Sequence, residues 1–282
     1  MRIGRHLVDG QPALGIVTDE GIATLQCDHT DLPSLLEACD GDVVAAVDAM
    51  ATGPTTALDE ANLLSPVGRP PTILAVGLNY RAHAAEGGRE PPSVPIIFNK
   101  HHNCIIGPHE PIHIPAAAPD MIDYEGELAV IIGRAARAVS ASEAPDYIAG
   151  YTIMNDVSVR DWQRASPTMM MGKSWDTHGP CGPWMVTSDS IDPHNCRLVT
   201  EVSGELRQDA KTDDLIFDCY EIVAHLSTAF TLQPGTIIAT GTPEGVGAFW
   251  KPPAFLSDGD DVSITIEGIG TLTNPVIAEP AS

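Results

Sequence analysis

Asp123-Tyr124-Glu125-Gly126-Glu127-Leu128-Ala129-Val130-Ile131-Ile132 is the run on which the reading of the fold turns. Its second half is apolar and β-branched, which predicts a strand. A strand puts Glu125 and Glu127 on one face, separated by about twice the ~3.3 Å rise per residue. Like charges that close favour a cation between them. Further on, Tyr151-Thr152-Ile153-Met154-Asn155-Asp156-Val157 predicts a second strand ending in another acid, able to complete a three-carboxylate site. Oxygen-only donors suit magnesium, manganese or calcium better than zinc. The same spacing also fits two acids on the solvent face of an edge strand.

Outward from that run, Val157-Ser158-Val159-Arg160-Asp161-Trp162-Gln163 predicts a helix start with Ser158 as its cap. Asp156, Arg160 and Gln163 would then share one helical face, where Arg160 could clamp a substrate carboxylate beside the metal. An ordinary surface Asp-Arg pair reads the same way. Upstream, Gly77-Leu78-Asn79-Tyr80-Arg81-Ala82-His83-Ala84-Ala85-Glu86-Gly87-Gly88 leaves a strand, makes one helical turn and breaks at two glycines. His83 and Glu86, three apart, become neighbours, and a carboxylate beside an imidazole suits a water-activating base. The glycines and Pro91-Pro92 bracket a stretch that could close as a lid. Downstream, Lys173 in Met169-Met170-Met171-Gly172-Lys173-Ser174 could reach a pocket and steady an oxyanion or enolate. The methionines there are read as core packing. Thr240-Gly241-Thr242-Pro243-Glu244-Gly245 closes a strand with small residues that let Thr242 approach a ligand, and a plain turn explains it equally.

The rest of the chain supplies the frame. Residues 1–65 read as a small N-terminal module, with a hairpin over Leu14 to Leu25 turning at Asp19-Glu20-Gly21 and a helix over Leu32 to Ala51. Ser65-Pro66-Val67-Gly68-Arg69-Pro70-Pro71 reads as a linker, so residues 66–282 form the second, larger domain. That domain shows many short strands and one amphipathic helix, Tyr220 to Phe230, with Ile222, Val223, Leu226 and Phe230 on one face. Strands that do not alternate with helices predict a mixed α+β or β-roll architecture rather than a Rossmann sheet.

Composition narrows the function. A net charge of −23, with only fifteen basic residues, argues against nucleic acid and anionic membrane as partners. No apolar run is long enough to span a bilayer and no signal-peptide core is visible, so a soluble cytoplasmic protein is expected. The six cysteines are scattered without a CxxC pair, so neither disulfides nor a thiolate zinc site is expected.

In order, GLNYRAHAAE, IIFNK, DYEGELAVIIG, YTIMNDVSVRDWQ, GKSWDTHGPCGPW and TGTPEGVG make this chain resemble the fumarylacetoacetate hydrolase family over about residues 70 to 275. The resemblance implies a mixed β-roll catalytic domain with a small N-terminal α/β domain, a homodimer, and Mg²⁺ or Mn²⁺ at Glu125, Glu127 and Asp156. It implies that His83 and Glu86 form the water-activating dyad of the acylpyruvase-like branch. Tyr80, Lys100, Arg160, Gln163, Lys173 and Thr242 would contact a small 2-oxo acid, with Lys173 also catalytic. The expected reaction is hydrolysis of a 2,4-dioxo acid, such as maleylpyruvate or fumarylpyruvate, to pyruvate and a carboxylic acid. Oxaloacetate decarboxylation and hydroxydienoate isomerisation share its chemistry, and a non-catalytic oxo-acid or metal-binding protein is the reading from another class. One departure stands out: His101-His102-Asn103-Cys104 follows Lys100 where relatives carry small hydroxyl residues. That segment could face a second substrate carboxylate.

Overall fold

Alternating polar and apolar residues at the start of the chain become a meander, and the computed structural model describes residues 1–280. β1 (Arg2–Val8), β2 (Gln11–Thr18) and β3 (Gly21–Leu25) pair in antiparallel fashion, and the register Thr18↔Gly21 puts the turn where the sequence predicts it. The single helix expected over Leu32 to Ala51 is two: α1 (Leu32–Ala38) and α2 (Val43–Asp48). Asp31 caps the first through the Ser34 amide at 3.0 Å, and Asp42 caps the second through Ala45 at 3.3 Å. Between them Asp40 and Gly41 adopt positive φ, which ends a helix.

β4 (Thr52–Thr56), β5 (Leu63–Leu64), β6 (Ile73–Gly77), α3 (Arg81–Glu86), β7 (Ile96–Lys100), β8 (Ile105–Ile106) and β9 (Ile112–Ile114) follow. Then come β10 (Ile122–Asp123), β11 (Gly126–Ile132), β12 (Ile148–Asn155), β13 (Ser158–Val159), α4 (Arg160–Ala165), α5 (Met170–Lys173) and β14 (Gly179–Thr187). β15 (Arg197–Val202), β16 (Glu205–Lys211), α6 (Cys219–Ala229), β17 (Ile237–Ala239), β18 (Asp261–Ile266) and β19 (Gly270–Ala278) complete a sheet-dominated α+β fold. The main sheet has twelve strands in the order β4-β3-β2-β1-β14-β12-β11-β17-β6-β7, with β5 on β1 and β8 on β14. A second sheet has five, in the order β16-β15-β18-β19-β9. Residues 1–65 are thus joined to the rest through the pairing of β1 with β14, Arg2↔Val186.

β11 is buried along its whole length, and its alternation divides it between two cores. Leu128, Val130 and Ile132 pack with the five-stranded sheet and with Ile222, Val223 and Leu226 of α6. Ala129 and Ile131 pack with Leu32, Leu35, Leu36, Val43 and Val47 of α1 and α2. A strand covered on both faces needs continuous apolar sequence, which is what residues 128–132 supply. α6 starts with a capping box between Asp218 and Glu221 and buries the three residues expected, but Phe230 is 43% exposed. There the backbone has already turned to an extended conformation, φ −149°, ψ 164°, so the side chain leaves the helical face. All six cysteines are free, and among the described residues no helix is long and apolar enough to cross a membrane.

Candidate active site

The register of β11 on β12 builds the site. Gly126 lies opposite Asn155 and Glu127 opposite Met154, so Glu125 and Asp156 flank the same end of two neighbouring strands. The Glu125 amide donates to the Asn155 side chain at 3.0 Å, and the Asp156 amide donates to the Glu125 carbonyl at 2.9 Å. Glu125, Glu127 and Asp156 are all buried and offer oxygens within 4.8 Å of one another.

Three cations answer these acids. Lys173 Nζ lies 2.6 Å from Glu125 Oε2 and 2.7 Å from Asp156 Oδ2. Lys100 Nζ lies 2.7 Å from Asp156 Oδ1. Arg160 reaches Glu125 Oε1 at 2.6 Å and, through Nε, Asp123 Oδ2 at 2.8 Å. Burial alone would raise the Glu125 carboxyl, but the Arg160 and Lys173 cations pull it down to about 2. Burial alone would lower the Lys173 ammonium, but Asp156 and Glu125 hold it above its ordinary range. Glu127 is the exception. Among the described residues it accepts only the Gly241 amide, at 2.8 Å, and burial together with Asp156 and Glu125 pushes its carboxyl well above the usual carboxylate range. Four buried acids face three buried bases, and the acid left over is a ligand candidate. A hard divalent cation such as Mg²⁺ or Mn²⁺ fits that donor set and that charge deficit.

His83 sits on the only turn of α3. Its Nδ1 is 3.1 Å from Glu86 Oε2, while Glu86 Oε1 accepts the Gly245 amide at 3.1 Å, so the pair is anchored to the loop after β17. Phe249 meets the imidazole edge-on at 5.6 Å. With Nδ1 donating to the carboxylate, Nε2 is the basic nitrogen. His83, Glu125, Glu127, Arg160, Gln163, Lys173 and Thr242 all line one cavity of about 520 Å³. Thr242 is held in place at both ends of its hydroxyl, donating to the Gly126 carbonyl at 3.0 Å and accepting from Gln208 Nε2 at 2.8 Å.

Several expectations are revised. No single helix carries Asp156, Arg160 and Gln163, because Ser158 and Val159 pair as β13 with β10 and α4 begins only at Arg160. Ser158 bonds the Asp156 carbonyl at 2.9 Å instead of capping, and Arg160 pairs with Asp123 and Glu125 rather than Asp156. Lys100 and Tyr80 lie behind the cavity wall, not on it. Lys100 is 2% exposed and pairs with Asp156, and the Tyr80 hydroxyl is buried without a hydrogen-bond partner among the described residues. His101 to Cys104 also miss the cavity: His102 Nε2 lies 2.7 Å from Arg69, and Asn103 bonds the Ser174 carbonyl and Asp176. Of the methionines read as core, Met169 lines the cavity and Met171 is exposed.

Asp123 is the residue that sequence reasoning missed. It takes Arg160 Nε and the Ala248 amide on Oδ2, and the Gly247 amide on Oδ1 at 2.7 Å. It therefore ties the arginine to the turn that carries Phe249. The only sequence signal was a third acid in the Asp123-Tyr124-Glu125 run.

Comparison with known proteins fits this geometry. The family model described as fumarylacetoacetate (FAA) hydrolase C-terminal matches residues 72–277. The chain belongs to the fumarylacetoacetate hydrolase family. Within it, a mitochondrial oxaloacetate tautomerase of Bos taurus is 39% identical over 276 residues, covering 94% of this chain and 88% of its own. The solved structure of 5-carboxymethyl-2-hydroxymuconate delta-isomerase from Mycobacterium smegmatis is 40% identical, with a TM-score of 0.82 over 100% of both chains. That of maleylpyruvate hydrolase from Sphingobium sp. SYK-6, in complex with manganese(II) and pyruvate, is 31% identical with a TM-score of 0.79, covering 99% of this chain and 100% of its own. These family members are a tautomerase, an isomerase and a hydrolase, so membership carries the coarse function of an enzyme and leaves the reaction to the site.

Proposed function

We propose that this protein moves protons at the carbon next to the oxo group of a small 2-oxo acid, with oxaloacetate keto-enol interconversion as the leading reaction. The observation that carries the reading is one cavity holding both a buried three-carboxylate cluster and a histidine whose Nε2 is free. Glu125, Glu127 and Asp156 would hold Mg²⁺ or Mn²⁺, which when bound supplies Lewis acidity to the carboxylate and 2-oxo oxygens of such a substrate. Arg160 and Lys173 fix the carboxylates and add positive charge beside the substrate's own. His83 Nε2 takes the C3 proton of the keto form and hands it on to the enolate oxygen, and the reverse transfer restores the ketone, while Glu86 holds the ring and stabilises its cationic form. Phe249 and Val246 give the cavity an apolar wall on the His83 side, with Phe249 edge-on to the imidazole. Such proton transfer contributes on the order of 10² to 10⁴ in rate.

The similarity to the oxaloacetate tautomerase favours this order of readings. Hydrolysis of an acylpyruvate is the second, supported by the same free Nε2, which can draw a proton from water as readily as from carbon, and by the similarity to maleylpyruvate hydrolase. The test is to follow decay of enol absorbance in fresh oxaloacetate, and pyruvate release from maleylpyruvate, fumarylpyruvate, acetylpyruvate and oxaloacetate, with Mn²⁺ and with EDTA. Metal-dependent enol decay without pyruvate release supports the proposal. Pyruvate from an acylpyruvate alone establishes the hydrolase, pyruvate from oxaloacetate marks decarboxylation, and metal-independent background rates throughout would refute all three.

A further inference from the structure

The cavity wall carries two arginines that the site described above does not use, Arg89 and Arg164. Acids outnumber bases in this chain by 38 to 15, so acidic partners for a basic side chain are plentiful. Among the described residues Arg89, Arg164, Lys211 and Lys251 are the cations without an ion pair, a side-chain hydrogen bond or an aromatic ring beneath them, whereas the other eleven have one. Two of the four free cations line a single cavity. Glu90, the acid next to Arg89 in sequence, forms no ion pair with it.

Both are held in places that suit a ligand reaching out from the carboxylates. Arg164 follows Arg160 by four residues on α4, so it sits on the same face one turn farther along, about 6 Å. Arg160 is buried and Arg164 is exposed, so that turn runs from the acidic centre toward the mouth. Arg89 is pinned to α3. Gly88, at φ +63°, closes the helix as its amide bonds the Ala85 carbonyl at 3.0 Å and the Arg89 amide bonds the Ala84 carbonyl at 2.8 Å. The Arg89 backbone is therefore fixed to the helix that bears His83.

We infer that Arg89 and Arg164 form a second anionic subsite, which reads a carboxylate at the far end of the substrate and makes the enzyme selective for 2-oxo diacids. The inference rests on the 2-oxo acid reading above and specifies its substrate class. The inner carboxylate and oxo group belong to the acidic centre, and the distal carboxylate belongs to the arginines. Because Arg89 travels with α3, an occupied distal subsite also holds His83 over the reacting carbon.

The test measures binding, not turnover. The affinity of the Mn²⁺-loaded protein is compared for oxalate, which has no distal arm, and for the length-matched pair 2-oxoadipate and 2-oxohexanoate. Wild type is expected to bind 2-oxoadipate on the order of tenfold more tightly than 2-oxohexanoate. Arg89→Gln and Arg164→Gln should each shrink that preference, and the double variant should erase it, with oxalate affinity unchanged within about twofold. Equal binding of the pair by wild type, a preference that survives the double variant, or loss of oxalate binding in that variant would each overturn the subsite. Failure of the wild-type protein to bind oxalate at all would instead bring down the 2-oxo acid reading on which it rests.

Discussion

Replacing Asp123 by Asn tests whether charge, rather than shape, organises the cavity. The carboxylate is fully buried and receives three donors: Gly247 N on Oδ1, and Arg160 Nε and Ala248 N on Oδ2. The amide can keep an oxygen toward only one side. In its better orientation it retains Arg160 and Ala248 but turns an NH₂ against the Gly247 amide, leaving a buried donor unpaired at about 1–3 kcal/mol. Arg160 also loses one of its two anionic partners. Removing a partner from a buried pair costs about 3–5 kcal/mol when nothing else compensates, and Glu125 compensates in part at 2.6 Å. The two effects together come to about 3 kcal/mol, less than the 5–15 kcal/mol of an ordinary domain, so the variant should remain folded. Loosening Arg160 and the Phe249 turn should also lower kcat/KM by about 10²-fold. Urea unfolding at pH 7.5 and turnover of oxaloacetate measure the two. A stability loss below about 1 kcal/mol with unchanged turnover would refute the reasoning.

Tyr80→Phe removes a buried hydroxyl that has no partner, so stability should hold or rise by about 1 kcal/mol and KM should stay within about twofold; a tenfold rise in KM would return Tyr80 to the substrate. Gly172→Ala would place a Cβ 2.2 Å from the Gln163 backbone nitrogen, so α5 must move away from α4 and take Lys173 with it. It should cost about 2 kcal/mol or more and lower kcat/KM, and a variant as stable as wild type in urea would contradict that packing. His178 donates through Nε2 to the His113 carbonyl at 2.8 Å, and burial lowers its folded-state pKa to about 4. Because that lies below the unfolded value near 6.5, its stabilisation is complete above pH 6.5 and is lost as pH falls toward 4, about 3 kcal/mol in all. Between pH 7.5 and 5 the wild type should therefore lose about 2 kcal/mol more than His178→Leu, and parallel losses would mean that His178 titrates normally.

The sequence was most informative where the physics is local or doubled. Residues 128–132 read as a strand because a strand covered on both faces must be apolar throughout, and His83 and Glu86 read as neighbours because three residues make most of a helical turn. It was misleading where a distant partner decides. Val157 to Gln163 has helical polarity, but Ile122 and Asp123 draw Ser158 and Val159 into a strand pair, which detaches Asp156 from the arginine's helix. Lys100 and Tyr80 stand two residues from Phe98 and Leu78, which do line the cavity, and only the folded partners separate them from it: Lys100 is drawn onto Asp156, and the Tyr80 hydroxyl is buried away from the wall. The break after Ala38 was legible in principle, since Asp42 is a good cap and Gly41 a good stop, but apolar periodicity ran through both.

The central claim is that the three carboxylates bind the metal while His83, on a separate element, moves the proton. Mn²⁺ affinity and oxaloacetate turnover measured on one preparation of His83→Ala test it directly. The account predicts a Kd for Mn²⁺ within a few-fold of wild type and turnover lower by about 10² or more. Turnover that survives, or metal affinity that disappears with it, would contradict that division of labour.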